Sequence, residues 1–165
     1  MEQQHVLNPM DEKKLPGGLN VLTILTFIGS GIGLISAIWT FASIKKSYEE
    51  MQKMMNSDEF EKLPAMVRNM YGPDMLEFTR KSVESKFPIM ILSVVASLLC
   101  IYGAMEMRKL KGSGYWLWLS GELLPFITML IFTGFLKGMM FYFIILVTAV
   151  FIILYSLQRK HLTEK

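Results

Sequence analysis

Four apolar runs, nearly free of charged residues, alternate with polar segments along the chain. They cover residues 19–44, 88–107, 115–136 and 139–157. An α-helix needs about 20 apolar residues to cross a hydrocarbon core of about 30 Å, and each run is close to this length. Only helices and closed barrels satisfy their backbone groups in lipid, and the period-two alternation of barrel strands is absent. The pattern therefore predicts an all-α integral membrane protein with four transmembrane helices.

Polar segments separate and flank these runs. They are a tail at 1–18, a connection at 45–87, a basic loop at 108–114, a short turn at 137–138 and a second tail at 158–165. In the long connection, good helix formers follow the first run as far as Asn56, and Pro64 suits the first turn of a short helix. We expect helical extensions that form a small extramembrane cap between the first two transmembrane helices. The short turn predicts a tight hairpin of the third and fourth.

Four membrane crossings place both tails and the 108–114 loop on the same side of the membrane, and positive charge is concentrated in these segments. Both tails and the 108–114 loop carry it, the opposite turn carries only Lys137, and the 45–87 connection complicates the count with eight cations and eight acids. Cytosolic loops are enriched in Lys and Arg, so both termini are predicted to be cytosolic.

The stretch CIYGAMEMRKLKGSGYWLWLSGELLP at 100–125 resembles small four-helix bacterial inner-membrane proteins. That resemblance implies a bacterial inner membrane and no particular activity.

Composition narrows the possible chemistry. The 165 residues are 52% hydrophobic with a net charge of +3, which gives no support to nucleic-acid binding. One cysteine, Cys100, cannot form an internal disulfide or a cysteine metal cage, and both histidines, His5 and His161, lie in the tails. No metal and no cofactor are expected. An enzyme is the weakest interpretation, because the apolar runs contain no His or Asp and so no nucleophile–base pair.

Glu122 interrupts the third apolar run, within LSGELLPF. It follows Trp118 by four residues, which places it about 6 Å deeper and short of the membrane midplane. A charged side chain in hydrocarbon costs a few kcal/mol, so the carboxyl group should face the bundle and find a donor. Polar residues of the first helix at matching depths, and the proline bend, complete the predicted intramembrane polar site: Glu122, Asn20, Thr23, Thr26 and Pro125. A structural hydrogen-bonded pair is the leading interpretation, with a transport pathway or a contact with a partner or lipid headgroup as alternatives.

Three further groups of residues are candidates for packing or recognition. Gly29, Gly33 and Ala37 recur at every fourth position and form a small-residue face for close helix approach, within the bundle or against another protein. Aromatic and basic residues around the 108–114 loop suit the lipid headgroup region: Arg108, Lys109, Lys111, Tyr115, Trp116 and Trp118. Methionines of the 45–87 connection offer an adaptable apolar surface for a partner: Met51, Met54, Met55, Met66 and Met70. Cu(I) binding by these thioethers is disfavoured, because no His or Cys accompanies them.

These features predict a non-enzymatic integral membrane protein that acts as an accessory or scaffold subunit of a larger membrane assembly. Its expected partners are the bilayer and other membrane subunits or further copies of the chain. The alternative is a small transporter or channel with Glu122 as its polar or proton-binding element. Four short helices rarely enclose a pathway alone, so that alternative requires an oligomer.

Overall fold

The computed structural model describes residues 15–134 and 139–162, without the side chains of 59, 69, 70 and 139–141. The described residues form helices and turns, with no strand among them. In order, the helices are α1 Gly17–Met55, α2 Asp58–Lys62, α3 Ala65–Met70, α4 Pro73–Glu84, α5 Lys86–Arg108, α6 Ser113–Phe132, α7 Met139–Gln158 and a 3-10 turn Arg159–His161. Helices α1, α5, α6 and α7 are long and apolar enough to cross a membrane, which confirms that part of the prediction. The predicted 137–138 turn and residues 1–14 and 163–165 of the tails lie outside the described residues.

Large apolar side chains cover the outer faces of the four long helices. Ile35, Ile131 and Phe143, for example, are 71%, 66% and 64% exposed. A continuous apolar surface of this kind is unfavourable in water and matches the hydrocarbon of lipid tails. The four helices are therefore compatible with a multi-pass membrane protein.

Helices α5 and α6 are the most closely packed pair, because glycines allow their backbones to touch. A Cβ added to Gly103 would lie 2.5 Å from the backbone nitrogen of Trp118. One on Gly114 would lie 2.6 Å from the carbonyl oxygen of Gly103, and one on Gly121 would lie 2.7 Å from that of Ala96. Small residues at helix contacts permit this close approach in membranes, where packing and not the hydrophobic effect drives helix association.

A Schellman-type turn joins α5 to α6. The backbone nitrogen of Lys111 donates to the Glu106 carbonyl at 3.1 Å, and that of Leu110 donates to the Met107 carbonyl at 2.9 Å. Leu110 has φ of 60°, the left-handed conformation that glycine usually supplies at this position. Its side chain is buried in the core, and this burial offsets a backbone strain of roughly 1 kcal/mol.

Helix α1 has 39 residues, or about 58 Å, so it is much longer than a membrane crossing requires. It continues because no helix breaker occurs before Asn56. Helix α4 packs against it, and Phe41 of α1 meets Phe87 edge to face with ring centroids 5.0 Å apart. Ser85 separates α4 from α5, and Pro88 lies in the first turn of α5, where its missing N–H removes no helix hydrogen bond.

Helix α7 contacts α1 and α6 only sparsely. Its C-terminal half is anchored by Tyr155, whose ring lies 4.2 Å from that of Trp118 and whose hydroxyl is 2.7 Å from that of Thr26. Residues 142–147, nearer its start, are all exposed. The tight hairpin predicted for the third and fourth spans stays a prediction, because residues 135–138 of its connection lie outside the described residues. Helix α6 packs closely against α5, because its glycines lie at that interface.

Candidate functional site

An open groove of about 740 Å³ lies between α1, α5, α6 and α7, and Phe78 and Ser82 of α4 also line it. Its lining on α1 runs from Leu25 to Ile44, about 28 Å at 1.5 Å per residue. On α5 it runs from Lys86 to Cys100, about 21 Å. The groove therefore follows the bundle over nearly the thickness of a bilayer core, which is about 30 Å.

Small side chains of α1 form one wall of the groove. Gly29, Gly33 and Ala37, the face predicted for helix packing, all line it. A Cβ added to Gly29 would meet nothing within 4 Å, whereas one on Gly33 would lie 3.2 Å from the Ser97 hydroxyl. This face thus touches α5 at Gly33 and is left open at Gly29.

Glu122 is half-buried on the α6 wall of the groove. Its Oε1 accepts a hydrogen bond from the Thr148 hydroxyl at 3.4 Å, which is long for such a bond. Within the described part of the chain, its other carboxylate oxygen has no hydrogen-bond partner. One turn later, Pro125 has no N–H to donate to the carbonyl of Gly121. Hydrogen-bond acceptors therefore outnumber donors at this point on the wall.

Glu122 is level with the centre of its neighbours' apolar runs. The adjacent Gly121 packs against Ala96 and Cys100, near the middle of the 88–107 run. Thr148 has nine residues of the 139–157 run on either side. The membrane depth predicted for Glu122 from its distance to Trp118, short of the midplane, stays a prediction, because these contacts give its level relative to the other helices and not to the bilayer.

The residues of the first helix that were predicted beside Glu122 have other partners. Arg108 donates from Nη1 to Asn20 Oδ1 at 2.9 Å and to Thr23 Oγ1 at 3.2 Å. Asn20 and Thr23 are at the start of α1, level with the end of α5 and therefore far from Glu122 along the bundle. Thr26 lines the groove but bonds to Tyr155.

Thr148 is the site residue that the sequence interpretation missed. It is buried and supplies the hydrogen bond to Glu122 described above. The signal in the sequence is a threonine at the centre of an otherwise apolar run, at the depth where a facing carboxyl group would need a donor.

The basic residues of the 108–114 loop are engaged within the chain. The Lys109 and Lys111 ammonium groups each lie 2.8 Å from an oxygen of the Glu106 carboxylate. The hydrogen bond to Glu106 raises the pKa of Lys109. With Arg108 bonded to α1, these residues stabilise the end of the bundle, and their role at a lipid headgroup stays a prediction.

The aromatic residues predicted for the membrane interface divide into two groups. Trp116 is 55% exposed, as an interfacial residue would be. Trp118 and Tyr115 are 1% and 6% exposed, so the structure corrects their placement at the lipid surface. Trp118 packs on Tyr155, and the Tyr115 hydroxyl lies 2.9 Å from that of Ser156, because both rings face α7.

The methionines predicted as a partner surface do not share one environment. Met51 is buried, Met55 is half-buried, and Met54 and Met66 are 42% and 67% exposed. The side chain of Met70 lies outside the described residues. A partner surface in this region stays a prediction.

The arrangement at the groove is suited to binding. Glu122 is the one carboxylate among the described residues that line it, and a single carboxylate can accept a hydrogen bond or carry a proton. No group of three His, Cys, Asp or Glu in the described part of the chain could hold a metal ion. Comparisons with protein-family models, with curated proteins and with solved structures find no match to this chain.

Proposed function

We propose that the protein is a non-enzymatic accessory or scaffold subunit of a larger assembly in a bacterial inner membrane, and that its groove receives a transmembrane helix of a partner. In this proposal both termini are cytosolic, and the segment between α1 and α5 forms a small cap on the opposite side. The observation that supports it is the long open groove in the surface of an apolar helical bundle.

The length of the groove favours a helix over a lipid as its occupant. The lining on α1 extends for about 28 Å, close to the roughly 30 Å of hydrocarbon that a transmembrane helix crosses. A phospholipid chain reaches through one leaflet only, about half of that distance. The open small-residue wall at Gly29 also allows the close backbone approach by which helices associate in membranes.

Two glycines of α1 offer a matched test. Gly29 lines the groove and Gly31 does not, and a Cβ at either would meet nothing within 4 Å. Both substitutions to leucine favour the helix equally, so both variants should fold. We expect Gly29→Leu to remove a co-migrating partner from the complex extracted in mild detergent, whereas Gly31→Leu retains it. Native electrophoresis with mass spectrometry of the band measures the difference.

Three outcomes would contradict the proposal. The native protein could migrate alone in mild detergent, or both variants could retain or lose the partner equally. A complex made of this chain alone would instead assign the groove to self-association.

A second function, transport by an oligomer, is favoured by the single long hydrogen bond that holds Glu122 on the groove wall. A carboxyl group in this position can take up and release a proton or a cation. If transport uses this route, Glu122→Gln abolishes proton or ion flux in reconstituted vesicles, since the amide keeps the shape but cannot ionise. A native-like thermal transition of the variant is the control. Unchanged flux in the variant, or no flux with the native protein, rules this function out.

A further inference from the structure

Glu122 gives the groove a chemical preference in addition to a shape. Its Oε1 has one hydrogen bond, at 3.4 Å from Thr148, and its second oxygen has no partner within the described residues. The hydroxyl of Thr26, which also lines the groove, lies 2.7 Å from that of Tyr155. A carboxyl group with unsatisfied lone pairs is costly in an apolar environment, and a donor from outside the chain would relieve that cost.

Lys86, the other charged residue on the groove wall, lies over two aromatic rings. The ammonium group of Lys86 lies 5.0 Å from the Phe41 ring centroid and 5.7 Å from that of Phe87. It is at the far end of the α5 lining, 14 residues or about 21 Å from Cys100. Among the described lining residues, Glu122 is therefore the one acidic residue, and it lies about 21 Å from Lys86 along the groove.

We infer, resting on the helix-docking function proposed above, that the partner helix carries a hydrogen-bond donor at its middle and that this donor pairs with Glu122. The donor is an amide, a hydroxyl or an ammonium group. The position of this donor along the partner helix follows from the level of Glu122, which matches that of Thr148 at the centre of the 139–157 run. A partner helix that crosses the same bilayer has its own centre at that level.

Model transmembrane peptides, used in place of the partner helix, test this inference. The reference peptide is a Leu/Ala helix of about 20 residues with lysines at both ends and no polar residue at its centre, long enough to cross the bilayer. A second peptide has asparagine at its centre. A third has the asparagine moved by seven residues along the same face, about 10 Å from the centre. Each carries a dansyl group, and energy transfer from the three tryptophans of the full-length protein in phosphatidylcholine vesicles reports binding.

We expect the peptide with the central asparagine to bind at least about threefold tighter than the reference peptide and the peptide with the displaced asparagine. This is the size of effect measured for a polar pair between helices in a membrane. Glu122→Leu should remove this preference. Glu122→Gln should retain part of it, because the amide oxygen still accepts a hydrogen bond. Retention in the glutamine variant separates loss of an acceptor from general damage to the fold.

Gly29→Leu separates the inference from the function on which it rests. If all three peptides bind equally and Gly29→Leu abolishes their binding, helices dock in the groove without a donor preference, and the inference is overturned alone. If no peptide binds, or Gly29→Leu leaves binding unchanged, helix docking in the groove is overturned and the inference with it.

Discussion

Single glycines decide where the helices touch and where a space is left between them. At Gly103, Gly114 and Gly121 an added Cβ would meet backbone atoms of the partner helix at less than 3.0 Å. At Gly29 and Gly31 it would meet nothing within 4 Å. The same residue type therefore closes the contact between α5 and α6 and leaves one wall of the groove open.

Gly103→Ala should destabilise the protein by roughly 1–3 kcal/mol, because the methyl group would lie 2.5 Å from the Trp118 nitrogen and 2.7 Å from the Gly114 carbonyl oxygen. These are backbone atoms, so the two helices must separate to accommodate it. Gly31→Ala is the matched control, since it gains helix propensity and has free space. Thermal unfolding in detergent, followed by circular dichroism, compares the two. Equal transition temperatures would show that α5 and α6 can separate at no cost.

Glu122 could be identified from the sequence as a candidate polar site, but its hydrogen-bond partner could not. A carboxylate in an apolar run is conspicuous whatever the fold. The choice between Thr26 and Thr148 as its donor depends on how α1 and α7 are rotated and how deep each lies in the bundle. Trp118 illustrates the same limit, because a tryptophan near a basic loop fits either the membrane interface or, as found, a buried contact with Tyr155.

At the scale of whole elements, the contacts of α7 in the described part of the chain are concentrated in its C-terminal half, and Ile144, Val147 and Thr148 line the groove. Tyr155 and the neighbouring contacts hold its C-terminal half, while residues 142–147 are exposed. The number and length of the long helices follow from apolar runs of about 20 residues, and the extension of α1 follows from the absence of a breaker before Asn56. Which helices pack together could not be predicted from the lengths of the apolar runs. Helix α6 does contact α7, as Trp118 contacts Tyr155, but the run lengths gave no sign that glycines at 103, 114 and 121 bring the backbones of α5 and α6 together.

At the scale of the whole molecule, the helix ends divide into two groups. The start of α1, the turn between α5 and α6 and the end of α7 meet at one end of the bundle. Arg108 bonds to Asn20 there, and the guanidinium of Arg159 lies 5.2 Å from the Trp116 ring centroid. This end collects the cations of the 108–114 loop together with Arg159 and Lys160, which supports the proposal that it faces the cytosol.

Cysteine labelling in intact bacterial cells tests that orientation. We expect Asp58→Cys, between α1 and α4, to react with a membrane-impermeant maleimide from outside the cytoplasmic membrane. Lys160→Cys, at the end that carries the basic loop, should react only after the cells are opened, because its cationic surroundings remain in the cytosol. The native chain is the blank, since its one cysteine, Cys100, is buried. The reverse pattern would place the basic end outside, which contradicts the cytosolic assignment of both termini.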